Sequence, residues 1–162
     1  MGYSGLAIAL VLALLAFPLL GIAKVPDGPG DWLRGLVARW AGNRQLDPAL
    51  VFGVVMVESA GNPNAKNPAD PSTGLMQVTP LIGRAYAGLQ GDDEAVLLAL
   101  MNSEVNMMAG TGFIRHLQDK YIPKGFSVRE WIQAYNMGET NFDKGIRNSY
   151  GDKVILAMKG WV

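Results

Sequence analysis

Cysteine is absent from the chain, which excludes disulfides, thiolate metal sites and a thiol nucleophile. Histidine occurs once, at His116. One histidine cannot build a His-rich metal centre, and no serine elbow accompanies it. Within Phe113-Ile114-Arg115-His116-Leu117 it reads as a structural or solvent-facing side chain. Charge is sparse and balanced: 17% of residues are charged, with 14 Lys+Arg against 14 Asp+Glu and a net charge of zero. No global basic field exists to attract nucleic acid, and Arg34, Arg39 and Arg44 read as the wetted face of a helix. No acidic cluster has calcium-loop spacing, so neither a metal nor an organic cofactor is expected. Sustained period-two alternation is missing as well, which leaves no confident strand. What is present is 162 residues, 49% of them hydrophobic. That suffices for one compact domain with a core and argues against disorder.

An uninterrupted uncharged run dominated by Leu, Ala, Ile and Val extends from Gly5 to Ala23. At about 1.5 Å rise per residue it is just long enough to cross a bilayer core. Two readings compete. A signal peptide would use the small residues Gly21 and Ala23 for cleavage after Ala23, but Met1 to Ser4 carry no basic residue. An uncleaved anchor fits the length and tolerates Pro18, and it is the favoured of the two. Lys24, Arg34, Arg39 and Arg44 follow the run and would hold the remainder on the cytoplasmic side. Residues 1–24 are therefore expected to be a transmembrane anchor or signal segment, 25–30 a linker, and 31–162 a single helical domain.

Cap chemistry predicts the helices. Asp31 reads as an N-cap before Trp32, Leu33, Leu36, Val37 and Trp40, with Gly42 as the stop. Asp47-Pro48 opens a second helix whose body, Ala49 to Met56, is apolar nearly all round and so should be central and buried. Asn62 to Thr73 is a polar loop containing Pro63, Pro68 and Pro71. Thr79-Pro80 starts another helix, and Asp92-Asp93-Glu94 a further one reaching Leu100. A long helix runs from Ser103 to about Tyr121. Ser127 and Glu130 form a capping box before Trp131 to Tyr135, and a last helix spans about Asn148 to Met158. The predicted class is all-α.

Glu58 ends the apolar run Val51-Phe52-Gly53-Val54-Val55-Met56-Val57. Apolar surroundings and the negative end of a helix dipole both disfavour its charged form, as a general acid requires. The plain alternative is a solvated glutamate at a helix end. Three further blocks follow in order: Gly74-Leu75-Met76-Gln77, Asn102-x-x-x-Asn106 with Gly110, and Ala134-Tyr135-Asn136-Met137-Gly138. With the Glu58-Ser59 pair, this ordered set resembles the soluble-type lytic transglycosylase family, whose fold is similar to goose-type lysozyme. The resemblance covers about Leu46 to Tyr150. The loop Asn67 to Thr73 is more proline-rich than the family pattern.

The resemblance implies a lysozyme-like helical domain acting on peptidoglycan glycan strands. Glu58 would be the single acid/base. It would protonate the oxygen between N-acetylmuramic acid and N-acetylglucosamine, then accept the proton of the muramyl C6 hydroxyl as a 1,6-anhydro ring closes. Ser59, Met76, Gln77, Tyr135, Asn136 and Tyr150 are implied as substrate-binding or cleft residues, with Tyr135 as a hydrogen-bond partner of Glu58; for Met76, core packing is an equal alternative. A hydrolase of the same fold would need a second carboxylate roughly 5–10 Å away. Asp70, Glu104, Glu130, Glu139 and Asp143 are the candidates, and Asp70, in the proline loop, is the one singled out. The bilayer, through residues 5–23, is an expected partner. The catalytic domain must then act in the periplasm or cell wall, opposite to the side the basic residues favour. Delivery inside a phage particle or by a secretion machine would remove that conflict. A non-catalytic glycan-binding or channel-building module is the alternative from another functional class.

Overall fold

The computed structural model describes residues 29–161. The apolar run at residues 5–23 lies outside the described residues, as does most of the expected linker. Nine helices appear among the described residues: α1 (Pro29–Arg44), α2 (Pro48–Ser59), α3 (Pro80–Ala87), α4 (Asp93–Leu100), α5 (Ser103–Tyr121), α6 (Val128–Trp131), α7 (Gln133–Met137), α8 (Glu139–Asp143) and α9 (Tyr150–Met158). A single 3₁₀ turn, Ile122–Lys124, follows α5. The only extended pairing among them is two isolated bridges, Lys66 with Thr73 and Thr73 with Val78. None of the described helices is long and apolar enough to cross a membrane.

α2 is the central element. Asp47 caps it by accepting from the Ala49 amide, Pro48 occupies its first turn, and Leu50 to Val55 are buried. Its main partner is α9, and the two come together over Gly53. A β-carbon there would lie 2.8 Å from the Val154 carbonyl oxygen, closer than any real side chain permits. α5 packs against α1 and α3, contributing Met107, Phe113, Ile114 and Leu117 to the core.

Two expectations about α1 are corrected. It is already helical at Pro29 and Gly30, so Asp31 is an acid within its first turn rather than its cap. It also passes through Gly42 and ends at Gln45, whose φ is 54°. There the Leu46 amide donates to the Ala41 carbonyl and the Gln45 amide to that of Gly42, the paired bonds of a Schellman ending. Leu33, Leu36 and Val37 face the core as expected, but Trp32 is 39% exposed. The stretch after the Ser127–Glu130 capping box is divided into α6 and α7. α8 was not anticipated, since five residues are too few to show a helical period.

Candidate active site

Glu58 occupies the last turn of α2. Ala60, at φ 52°, ends the helix by donating its amide to the Met56 carbonyl, so the chain turns away immediately beyond the carboxylate. Glu58 is half-buried. Its one hydrogen-bonding partner among the described residues is Tyr150, the first residue of α9, whose hydroxyl donates to Oε1 at 2.5 Å. Tyr150 is itself buried. The close α2–α9 approach over Gly53 is what brings these groups together.

Burial raises the Glu58 pKa above its ordinary value, the Tyr150 hydrogen bond opposes that rise, and the nearby negative charge of Asp70 reinforces it. Burial, together with the Glu58 charge, also lifts the Tyr150 and Tyr135 hydroxyls well above the usual phenol value. Both tyrosines therefore remain neutral donors.

The predicted Tyr135–Glu58 hydrogen bond is not formed. The Tyr135 hydroxyl donates to the Met76 carbonyl at 2.8 Å, while its ring lies parallel to that of Tyr150 with centroids 6.5 Å apart. Tyr150 takes the role expected of Tyr135, because α9 delivers it from the other side of α2. For Met76, of the two open readings, cleft lining and core packing, the side chain takes the second. Its side chain is fully buried and fills the space above Gly110, where a β-carbon would lie 2.4 Å from the Met76 sulfur. It packs the core and leaves only its carbonyl for the site.

Ser59 ties α2 to the following loop. Its Oγ lies 2.8 Å from the Leu75 carbonyl and 3.1 Å from that of Val55, and it accepts from the Gly61 amide at 3.2 Å. Gln77 lines the cleft, but its amide group is engaged within the loop: Nε2 donates to Gly74 and Ala65 carbonyls at 2.9 and 3.2 Å. Ser72 Oγ donates to its Oε1 at 3.2 Å. These contacts hold the backbone at a φ of 45° and occupy the donors expected to meet sugar. Asn136 is exposed, and its Oδ1 accepts from Asn148 Nδ2 at 3.0 Å.

Two clefts meet at Glu58 and Asn136. One, of 360 Å³, runs under the proline loop past Lys66, Asp70, Gln77 and Tyr135. The other, of 340 Å³, runs past Val57, Asn148, Tyr150 and Lys153. An extended chain laid through both would place one of its links over the carboxylate. Asn148, Lys153, Lys66 and Thr79 were not expected in the site from sequence, because only the fold brings them to the groove.

The structure sorts the candidate second carboxylates. Glu104 is engaged by Arg39 and by Trp40 Nε1. Glu130 closes the capping box with Ser127. Glu139 and Asp143 share Lys120, and Glu139 also meets His116. Only Asp70 of the five lines a cleft with Glu58. Among the described residues no group of three His, Cys, Asp or Glu side chains is placed to hold a metal ion.

The family model described as Transglycosylase SLT domain matches residues 35–156. The membrane-bound lytic murein transglycosylase C of Actinobacillus pleuropneumoniae (serotype 5b, strain L20) is 34% identical over 112 residues, covering 64% of this chain and 30% of that protein. The membrane-bound lytic murein transglycosylase E of Buchnera aphidicola (subsp. Acyrthosiphon pisum, strain APS) is 34% identical over 89 residues, covering 54% and 40% respectively. The chain thus spans less than half the length of these relatives. An inactive mutant of the lytic transglycosylase Slt from Pseudomonas aeruginosa superimposes with a TM-score of 0.56 at 22% identity, covering 77% of this chain and 20% of that one. The 70 kDa soluble lytic transglycosylase of Escherichia coli gives the same score at 20% identity, covering 82% and 24%. At that identity the two structures establish a shared fold.

Proposed function

The chain belongs to the transglycosylase SLT domain family, and from that premise we propose that it cleaves peptidoglycan glycan strands between N-acetylmuramic acid and N-acetylglucosamine, with Glu58 as its single acid/base. The observation that carries the reading is the half-buried Glu58 carboxyl, held by Tyr150 where two clefts meet. A strand in the groove presents its glycosidic oxygen to Glu58. The carboxyl gives up its proton to that oxygen as the bond to the anomeric carbon breaks. The resulting carboxylate then takes the proton of the muramyl C6 hydroxyl, whose oxygen bonds to the anomeric carbon and closes a 1,6-anhydro ring. One group serves as acid and then base, as in the retaining glycosidase cycle. Tyr150 fixes the carboxylate in both steps. Asn136, exposed at the junction of the clefts, is the residue we assign to sugar contact. Ser59 and Gln77 shape the loop that forms the wall.

Glu58→Gln should lower the release of soluble muropeptides by about 10²–10⁴-fold, the range of a lost general acid. Cleavage at the wild-type rate by this variant would remove Glu58 as the acid/base, and strand binding without cleavage by the wild type itself would leave a non-catalytic glycan-binding module as the surviving reading. A hydrolytic version draws on one observation, Asp70 in the same cleft, from which a carboxylate could activate water. Mass spectrometry of the products separates the two: anhydro-muramyl ends support ring closure, and reducing ends support hydrolysis.

We also propose that the run at residues 5–23 tethers the domain to a membrane from which it reaches the wall. The two relatives named as membrane-bound support this placement. Delivery by a phage particle or secretion machine is the version that reconciles wall-side action with the basic residues following the run.

A further inference from the structure

Side-chain amides join α7 to the start of α9. Gln133 opens α7 and is buried. Its Nε2 donates to the Arg129 carbonyl at 3.1 Å, and its Oε1 accepts from the Asn148 amide at 2.8 Å. Asn148 then reaches in two directions. Its Oδ1 accepts from the Tyr150 amide at 3.0 Å, and its Nδ2 donates to Asn136 Oδ1 at 3.0 Å. Ser149, directly before α9, makes no capping bond with its side chain among the described residues, so Asn148 supplies the acceptor at that helix start. One side chain thus meets both the backbone of the tyrosine that holds Glu58 and the side chain of the exposed Asn136.

The orientation of these amides follows from backbone groups that have no choice of role. A peptide carbonyl can only accept, and a peptide N–H can only donate. The Arg129 carbonyl and the Asn148 amide therefore fix which end of Gln133 points where. The Tyr150 amide fixes Asn148, and Asn148 in turn fixes Asn136. With its Oδ1 engaged, Asn136 is left with its Nδ2 donors to offer the groove that it lines.

We propose that Asn148 is a positioning residue of the Glu58 site: it sets the start of α9, and so the Tyr150 hydroxyl, and it orients Asn136 to donate into the groove. The role toward Asn136 rests on the glycan-cleaving reading of that groove; the role toward Tyr150 does not. Gln133 anchors Asn148 from the core side.

Two variants separate the two contacts. A serine can accept from the amide two residues on, as asparagine does, but it is too short to reach Asn136. Asn148→Ser therefore keeps the first contact and loses the second, and Asn148→Ala loses both. The first measurement needs no substrate: a carbon-13 nuclear magnetic resonance titration of the Glu58 carboxyl in the 162-residue chain. The Tyr150 hydrogen bond lowers the Glu58 pKa, so Asn148→Ala should raise it and Asn148→Ser should leave it at the wild-type value. An unchanged titration in Asn148→Ala, or the same shift in both variants, would overturn the role toward Tyr150. The second measurement is steady-state cleavage of solubilised peptidoglycan. Asn148→Ala should lower kcat about ten-fold through the displaced carboxylate. Asn148→Ser should restore most of that loss while raising KM about five-fold, the scale of one lost hydrogen bond. The KM effect should disappear in an Asn136→Ala background. A KM increase that persists there, or no increase in Asn148→Ser, would overturn the role toward Asn136. Release of no muropeptides by the wild type would refute the glycan-cleaving reading and the Asn136 role that rests on it, whereas the Glu58 titration alone decides the Tyr150 role.

Discussion

At the residue scale, Glu58 is pulled in opposite directions by two neighbours, and each can be removed separately. The Tyr150 hydrogen bond lowers its pKa and the Asp70 charge raises it, both against a background set by burial. Tyr150→Phe should therefore move the alkaline limb of the kcat–pH profile to higher pH, and Asp70→Asn should move it to lower pH. Tyr150→Phe should also reduce kcat by up to about 100-fold through misplacement of the carboxylate. Profiles measured on solubilised peptidoglycan check both, and shifts of the same sign would contradict the electrostatic account. Stability gives a third check. A carboxyl whose folded pKa exceeds its unfolded value favours folding fully below the unfolded pKa, and that favour is lost as pH rises through the folded pKa. Near neutral pH the wild type thus carries a burial penalty that Glu58→Gln lacks. The variant's Tm should equal or exceed that of the wild type at neutral pH. Its advantage should vanish below about pH 4, under the ordinary carboxylate range. Differential scanning calorimetry across that range is the measurement.

At the scale of elements, the site depends on two close approaches. Gly53 admits α9 to α2, and a Gly53→Ala β-carbon meets the Val154 carbonyl and the Met158 side chain at 2.8 and 2.9 Å. Overpacking of this kind costs about 1–3 kcal/mol, against the roughly 0.5–1 kcal/mol that alanine gains over glycine within a helix. Gly53→Ala should therefore lower Tm and, by displacing Tyr150, lose more activity than its stability loss explains. The second device is Asn106, fully buried in α5. Its Oδ1 accepts from the Met76 amide at 2.8 Å, and its Nδ2 donates to the Thr73 and Leu100 carbonyls at 2.8 and 3.0 Å. Asn106→Leu strands three buried backbone groups, each worth about 1–3 kcal/mol. Urea unfolding should show a loss of several kcal/mol. Helix starts were legible in advance: Asp47-Pro48 and Thr79-Pro80 lie where cap chemistry puts them, because a cap is decided by residues within one turn, and the long helix begins at Ser103 as expected. The end of α1 was not legible, because Gln45 rather than a glycine takes the left-handed position.

At the scale of the whole molecule, the groove is a joint product of distant chain segments. One wall comes from the loop between α2 and α3, the other from α7 and the start of α9. Its acid sits on the central helix between them. The proposed tether at residues 5–23 predicts that the 162-residue chain remains with bilayers after carbonate extraction. A variant lacking residues 5–23 should be released while still clearing peptidoglycan in vitro. Recovery of the 162-residue chain in the soluble fraction would remove the tether.

Sequence by itself determined the all-helical class, the buried central helix and the carboxylate at its end, since each follows from short-range apolar spacing and cap residues. It also determined the family, because four short blocks stand in order along one chain. Tertiary structure alone decided which tyrosine holds Glu58. Tyr150 lies 92 positions away, and nothing local distinguishes it from Tyr135. It also decided that Met76 belongs to the core, that Gln77 spends its amide on the loop, and that Asp70 alone of the five carboxylates shares a cleft with Glu58. These outcomes depend on which helices approach over which glycines, a matter of shape between segments distant in the chain.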